Sequence, residues 1–124
     1  MAVQIPQSVR AQVLERDGYR CLRCRVPLEG QRYSIHHRKA RGMGGTRDPL
    51  SIDPRNLVSL CGSGTEGCHG AIESARETSR QDGWLIRTYD HLDMPLRRPD
   101  GSSVRLFEDG GVVTWTTEEL ANAD

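Results

Sequence analysis

Four cysteines constrain this chain more than any other feature. Cys21 and Cys24 form Cys-x2-Cys, Cys61 and Cys68 form Cys-x6-Cys, and the 124 residues contain no others. Two sequence-local pairs deliver four thiolates to one tetrahedral zinc ion with only a tight turn each, and four such ligands close the coordination sphere. The longer second spacing contains Gly62, Gly64 and Gly67, which let the loop fold back. Two other arrangements remain open. Disulfides fit the even count but need an oxidising compartment. A redox pair of Cys21 and Cys24 needs a strand-helix setting in an α/β fold. The zinc reading is favoured over both. Such a zinc clamps the start of the chain to residues 61–68 and fixes whatever lies between.

A staple is needed because the core is sparse. Hydrophobic residues make up 35% of the chain and aromatic residues 5%, and a domain this small buries only ~60–70% of its unfolded surface. The length predicts a single domain over 1–124. The longest apolar runs, such as Trp84-Leu85-Ile86, are three residues, too short for a membrane span or a secretory core. The expected location is therefore the cytoplasm, with no membrane partner.

Formal charge is zero, from 17 basic and 17 acidic residues, but it is unevenly spread. Residues 1–47 carry ten basic and three acidic side chains, and residues 48–124 carry seven and fourteen. A basic half can supply a nucleic-acid footprint that whole-chain charge conceals.

Periodicity and turn signals predict an α+β fold. Ser8 is a candidate N-cap for a helix carrying Val9, Val13 and Leu14 and ending near Arg16-Asp17-Gly18. Short strands are expected at Arg32–His37 and Leu57–Leu60, separated by a glycine- and proline-containing loop over 38–55. A helix is expected from Cys68 to about Arg80, with Ala71, Ile72 and Ala75 as its apolar stripe. Beyond Gly83, Trp84–Tyr89 reads as a strand, and Asp109-Gly110-Gly111 marks a hairpin between Val104–Phe107 and Val112–Thr116. Residues 83–117 thus form a short antiparallel extension, with Trp84 and Trp115 expected in its core.

Two of the four histidines, His36 and His37, are adjacent. Neighbouring side chains on a strand point to opposite faces, so one is expected to ligate a metal while the other points at substrate. His69 follows the zinc ligand Cys68, and Glu73 lies on the same helix face four residues on. Nothing in the pattern converges on His91.

Taken together, His36-His37-Arg38, Gly44-Gly45, Asn56-Leu57-Val58-Ser59-Leu60-Cys61 and Cys68-His69 resemble the HNH endonuclease family. The lead-in Arg16-Asp17-Gly18-Tyr19-Arg20-Cys21 is similar to one common there, and Leu60–Gly70 is similar to HNH proteins of tailed phages of actinobacteria. The resemblance covers residues 8–80 and implies a zinc-stapled ββα-metal core. It implies that His36 and His69 ligate a catalytic divalent ion (magnesium, manganese, nickel or zinc) and that His37 is the general base. Asn56 would tie down the long loop and help hold the His37 ring. Many members carry histidine or asparagine where this chain has Glu73, which could complete the inner shell, orient a bound water, or be a plain surface acid. Arg38, Lys39, Arg41 and Arg47 are candidate grips on DNA phosphates, contacts that position a duplex without reading its bases. The implied activity is nicking or cleavage of double-stranded DNA with low sequence preference, for a phage member in partnership with terminase during packaging. The competing expectations are a zinc-stabilised DNA-binding or assembly module without catalysis, and a restriction- or homing-type nuclease.

Overall fold

The structure is a computed structural model and describes residues 5–39, 52–87 and 91–116. Its order is α1 (Gln7–Arg16), β1 (Tyr33–His37), a 3-10 turn (Pro54–Asn56), β2 (Leu57–Cys61), α2 (Gly67–Ser74), α3 (Arg76–Gln81), β3 (Leu96–Arg97), β4 (Ser103–Leu106) and β5 (Val112–Trp115). The strands form two small antiparallel sheets, β1-β2 and β3-β4-β5, so the fold is mixed α and β. No helix among the described residues is long and apolar enough to cross a membrane.

The expected β1-β2 pair forms, with Tyr33 opposite Cys61 and His37 opposite Leu57. β2 is buried along its whole length, because α1 and α2 both pack against it. The sequence pair Arg16-Asp17 fastens α1 there. Arg16 is held by the Asp17 carboxylate (Nε to Oδ1, 2.7 Å) and donates to the carbonyls of Pro54 and Leu57, both at 2.7 Å. Asp17 Oδ2 accepts from the Ser59 amide at 2.9 Å. Both side chains are almost fully buried, and every charge-bearing atom has a partner, the condition under which a buried ion pair is tolerated.

Three local expectations are corrected. Pro6, not Ser8, is the N-cap of α1, and no side chain caps it; proline needs no partner for a missing N–H. The helix expected over 68–80 is two helices, because Ala75 leaves the helical region (φ −120°, ψ 60°). Ser79 Oγ donates to the Ile72 carbonyl at 2.8 Å across this break. In the expected stripe only Ile72 is buried, while Ala71 and Ala75 face solvent. The strand expected over 84–89 does not form in its described part, 84–87. The Trp84 and Leu85 amides instead donate to the Ser79 carbonyl, and only Ile86 makes a bridge, parallel to Lys39.

The expected hairpin between β4 and β5 forms, with Leu106 opposite Val112. One apolar cluster runs from Val13 and Leu57 through Trp84 to Leu96, Val104 and Leu106, so the carboxy-terminal sheet shares the core of the β1-β2 unit. Trp84 is in that core (1% exposed), its indole donating to the Arg97 carbonyl at 2.7 Å. Trp115 is only half-buried.

Candidate functional site

The four cysteines converge: their sulfur atoms all lie within 4.8 Å of one another and could hold a structural metal such as zinc. Cys24 Sγ and Cys61 Sγ are 3.8 Å apart, the edge length expected of a tetrahedron with ~2.3 Å zinc–sulfur bonds and far from a disulfide's ~2.05 Å. Each pair sits on a turn that the sequence makes possible. In the first knuckle the Arg25 amide donates to the Cys21 carbonyl at 2.8 Å, and Arg25 takes a positive φ of 68°. In the second, Ser63 and Glu66 exchange both backbone hydrogen bonds as a miniature hairpin. Gly62 (φ 85°) and Gly67 (φ 63°) are required there: a Cβ on Gly62 would overlap the Glu66 carbonyl, and one on Gly67 would lie 2.7 Å from the Cys61 carbonyl oxygen.

Donors surround the sulfurs. The Cys68 amide reaches Cys61 Sγ and Arg23 reaches Cys68 Sγ, each at 3.4 Å. A hydrogen bond from Cys68 pulls the Cys21 thiol down to about 4, whereas burial pushes Cys24 up. Four thiolates around a divalent ion leave two negative charges, and Arg23 offsets part of them.

A second cluster lies beside the first. His36, His69 and Glu73 bring their ligand atoms within 4.8 Å of one another. The strand contributes alternate residues Ser34 and His36, which share one face; the helix contributes His69 and Glu73, one turn apart. Both imidazoles are fixed by their outer nitrogens. His36 Nε2 donates to the Trp84 carbonyl at 2.7 Å. Ser34 Oγ donates to the Gly62 carbonyl at 3.2 Å, so its 2.7 Å contact with His69 Nδ1 accepts the ring proton. His36 Nδ1 and His69 Nε2 are therefore bare lone pairs, 3.9 and 3.8 Å from Glu73 Oε1, and the ring centroids are 5.0 Å apart. Three acceptors facing one another repel unless a cation or a proton lies among them, and two imidazoles plus one carboxylate suit a divalent ion with open positions.

Burial keeps these rings neutral, the form that ligates. His36 is 3% exposed and pushed down to about 4, chiefly by desolvation. Desolvation also lowers His69, with the Glu73 carboxylate opposing it. The cluster opens onto a depression of about 260 Å³ whose lining includes His36, His37, His69, Glu73 and Arg76. His37 reaches the same opening although its backbone neighbour is buried, because it ends the strand.

Asn56 is buried (1% exposed) at the exit of β1. Its Oδ1 accepts from the Lys39 amide at 2.7 Å, and its carbonyl accepts from the Arg38 amide at 2.8 Å. It grips the backbone just past His37.

The expectation that Arg38 contacts DNA is overturned. Arg38 is fully buried, and its guanidinium donates to the carbonyls of Gly83, Arg55, Leu92 and Met94. Desolvation pulls it down to about 9, and no donor face is presented to a phosphate. Lys39 is half-buried; Arg41, Arg47, Gly44 and Gly45 lie outside the described residues. His91 is exposed on a turn. Two participants escaped the sequence reading. Ser34 was signalled by its place two residues before His36 on the same strand face, and Arg76 by its place three residues after Glu73, whose Oε2 it holds at 2.6 Å.

Comparison of the chain with family models, curated proteins and solved structures finds no match in any of the three.

Proposed function

We propose that the chain is a metal-dependent endonuclease of the HNH type, which hydrolyses phosphodiester bonds of double-stranded DNA with little sequence preference. The observation that carries the reading is the convergence of His36 Nδ1, His69 Nε2 and Glu73 Oε1, each imidazole having its other nitrogen engaged by an oxygen.

On this reading His36, His69 and Glu73 would hold a divalent ion, which when bound would offset the negative charge that develops during phosphodiester hydrolysis. The remaining chemistry belongs to the chain. His37, facing the same depression, takes the proton from the attacking water, a role that a neutral imidazole can fill. Asn56 keeps that ring in place by holding the Arg38 and Lys39 amides. Ser34 and the Trp84 carbonyl keep the ligand rings in the tautomer that leaves their inner nitrogens free. The cysteine cluster holds β2 and the start of α2, and hence His69, in register with β1.

The test is nicking of supercoiled plasmid across magnesium, manganese, nickel and zinc, with EDTA as control. Wild type is expected to nick and EDTA to stop it. His37→Ala should lower the rate ~10²–10⁴-fold while zinc content and melting temperature stay as in wild type. A His37→Ala protein that cuts as fast as wild type removes the general-base assignment. A wild type that shifts DNA in gels yet cuts with none of these ions points to the non-catalytic DNA-binding module.

A further inference from the structure

Glu73 divides its carboxylate between two neighbours. Oε1 faces the His36 and His69 lone pairs at 3.9 and 3.8 Å, while Oε2 accepts from Arg76 at 2.6 Å. The pair spans the break between α2 and α3, which places residue 76 on the rim of the depression. Among the described residues lining that depression, Arg76 carries the only permanent positive charge. Its side chain is 47% exposed, in contrast to Arg38, whose donors are spent on carbonyls.

We propose that Arg76 is a phosphate-binding residue of this site, held by Glu73 in the metal-free protein and handed to a substrate phosphate oxygen when a cation draws on the same carboxylate. This rests on the endonuclease reading and names the group that meets the anion. The physical basis is competition for one charge. A carboxylate shared with a divalent ion has less negative charge to offer a guanidinium, so the 2.6 Å ion pair weakens as the ion binds. A phosphodiester shares one negative charge over two non-bridging oxygens, and the guanidinium presents five donors in a planar fork suited to them. Glu73 therefore links occupancy of the cation position to availability of the anion position. The unliganded protein keeps Arg76 occupied, and only the cation-loaded form offers a full phosphate grip.

The experiment measures duplex DNA binding by fluorescence anisotropy over a salt series in His37→Ala protein, with and without Arg76→Gln, in EDTA and in saturating manganese. With manganese, Arg76→Gln is expected to weaken binding about tenfold and to lower the slope of log K against log salt by ~0.9, one phosphate contact. In EDTA the difference should shrink to less than a third of that. Arg76→Lys should restore most of the slope. An unchanged slope in manganese, with manganese affinity itself reduced in calorimetric titration without DNA, makes Arg76 a support for Glu73 alone and overturns the proposal. Equal losses in manganese and EDTA make it an ordinary solvated cation and overturn the handover. Wild-type plasmid nicking, run in parallel, separates the two readings. If wild type nicks and the slope does not move, only the role of Arg76 falls; if wild type neither nicks nor binds duplex, both fall.

Discussion

The two clusters are built from opposite materials. The cysteine cluster is made of turns, with both knuckles held by backbone hydrogen bonds and positive-φ residues, and its four donors can enclose an ion completely. The histidine-carboxylate cluster is made of regular elements, one residue of a strand against two of a helix, and leaves a depression on one side. Turns let ligands wrap an ion from all sides, whereas a strand and a helix approach it from one side and leave the other open. The first arrangement suits holding the chain together, the second suits meeting another molecule. They share the segment from Cys61 to His69, so the closed site sets the geometry of the open one.

Breaking each cluster separately should expose this division. The largest effect is expected from Cys21→Ser. A structural zinc site contributes on the order of 10 kcal/mol, comparable to the whole stability of a small domain, so the variant should lose cooperative melting in calorimetry along with its zinc. A normal melting curve would show that the cysteine cluster is not the staple.

The next effect is a pH dependence from the open cluster. In the unfolded chain His36 binds a proton near 6.5, whereas burial holds it near 4 in the folded protein. Between those values the unfolded state carries more protons, so stability is full above about pH 6.5 and is lost as pH falls toward 4. The contribution is about 3 kcal/mol for a group this buried. Denaturation at stepped pH should show this slope in wild type and lose it in His36→Gln, the difference between the two cancelling titrations they share. Parallel pH profiles would mean that the ring is solvated and protonates freely.

Glu73→Gln sharpens the comparison from the other side. The second ion should bind ~100-fold more weakly by calorimetry, while zinc content and melting temperature are retained, because the side chain is a third exposed and outside the apolar cluster. Zinc lost together with the second ion would make the two clusters one cooperative site. The smallest effect is expected at Ser34→Ala, which releases the His69 tautomer: about tenfold in affinity for the second ion, with rescue by Ser34→Thr. An unaltered affinity would leave the hydroxyl as packing.

The sequence made the knuckles legible because glycines and cysteines at fixed spacing admit few turns. It made β1 legible through alternation, and the same alternation carried a message about Arg38 that charge obscured. Residues 34, 36 and 38 share a face, so a strand that buries His36 also turns Arg38 inward, and only tertiary carbonyls from distant segments make that burial tolerable. The break at Ala75 was not legible, since Arg76–Gln81 contains neither proline nor glycine. What accompanies it is a side-chain contact across the break, Ser79 Oγ to the Ile72 carbonyl, while the Ser79 carbonyl receives the Trp84 and Leu85 amides. Those two amides are thereby withdrawn from strand pairing, so 84–87 is not a strand.

The guanidinium of Arg38 has a practical consequence for anyone wishing to shorten this protein. Three of its four acceptors are the carbonyls of Gly83, Leu92 and Met94, so a chain cut after α3 would strip the guanidinium of most of its partners and remove Trp84 from the shared core. Such a fragment should swell or aggregate even with the cysteine and histidine clusters intact. The carbonyls of Gly83, Leu92 and Met94 thus act as solvent for the residue that follows β1, and shortening has to begin beyond them.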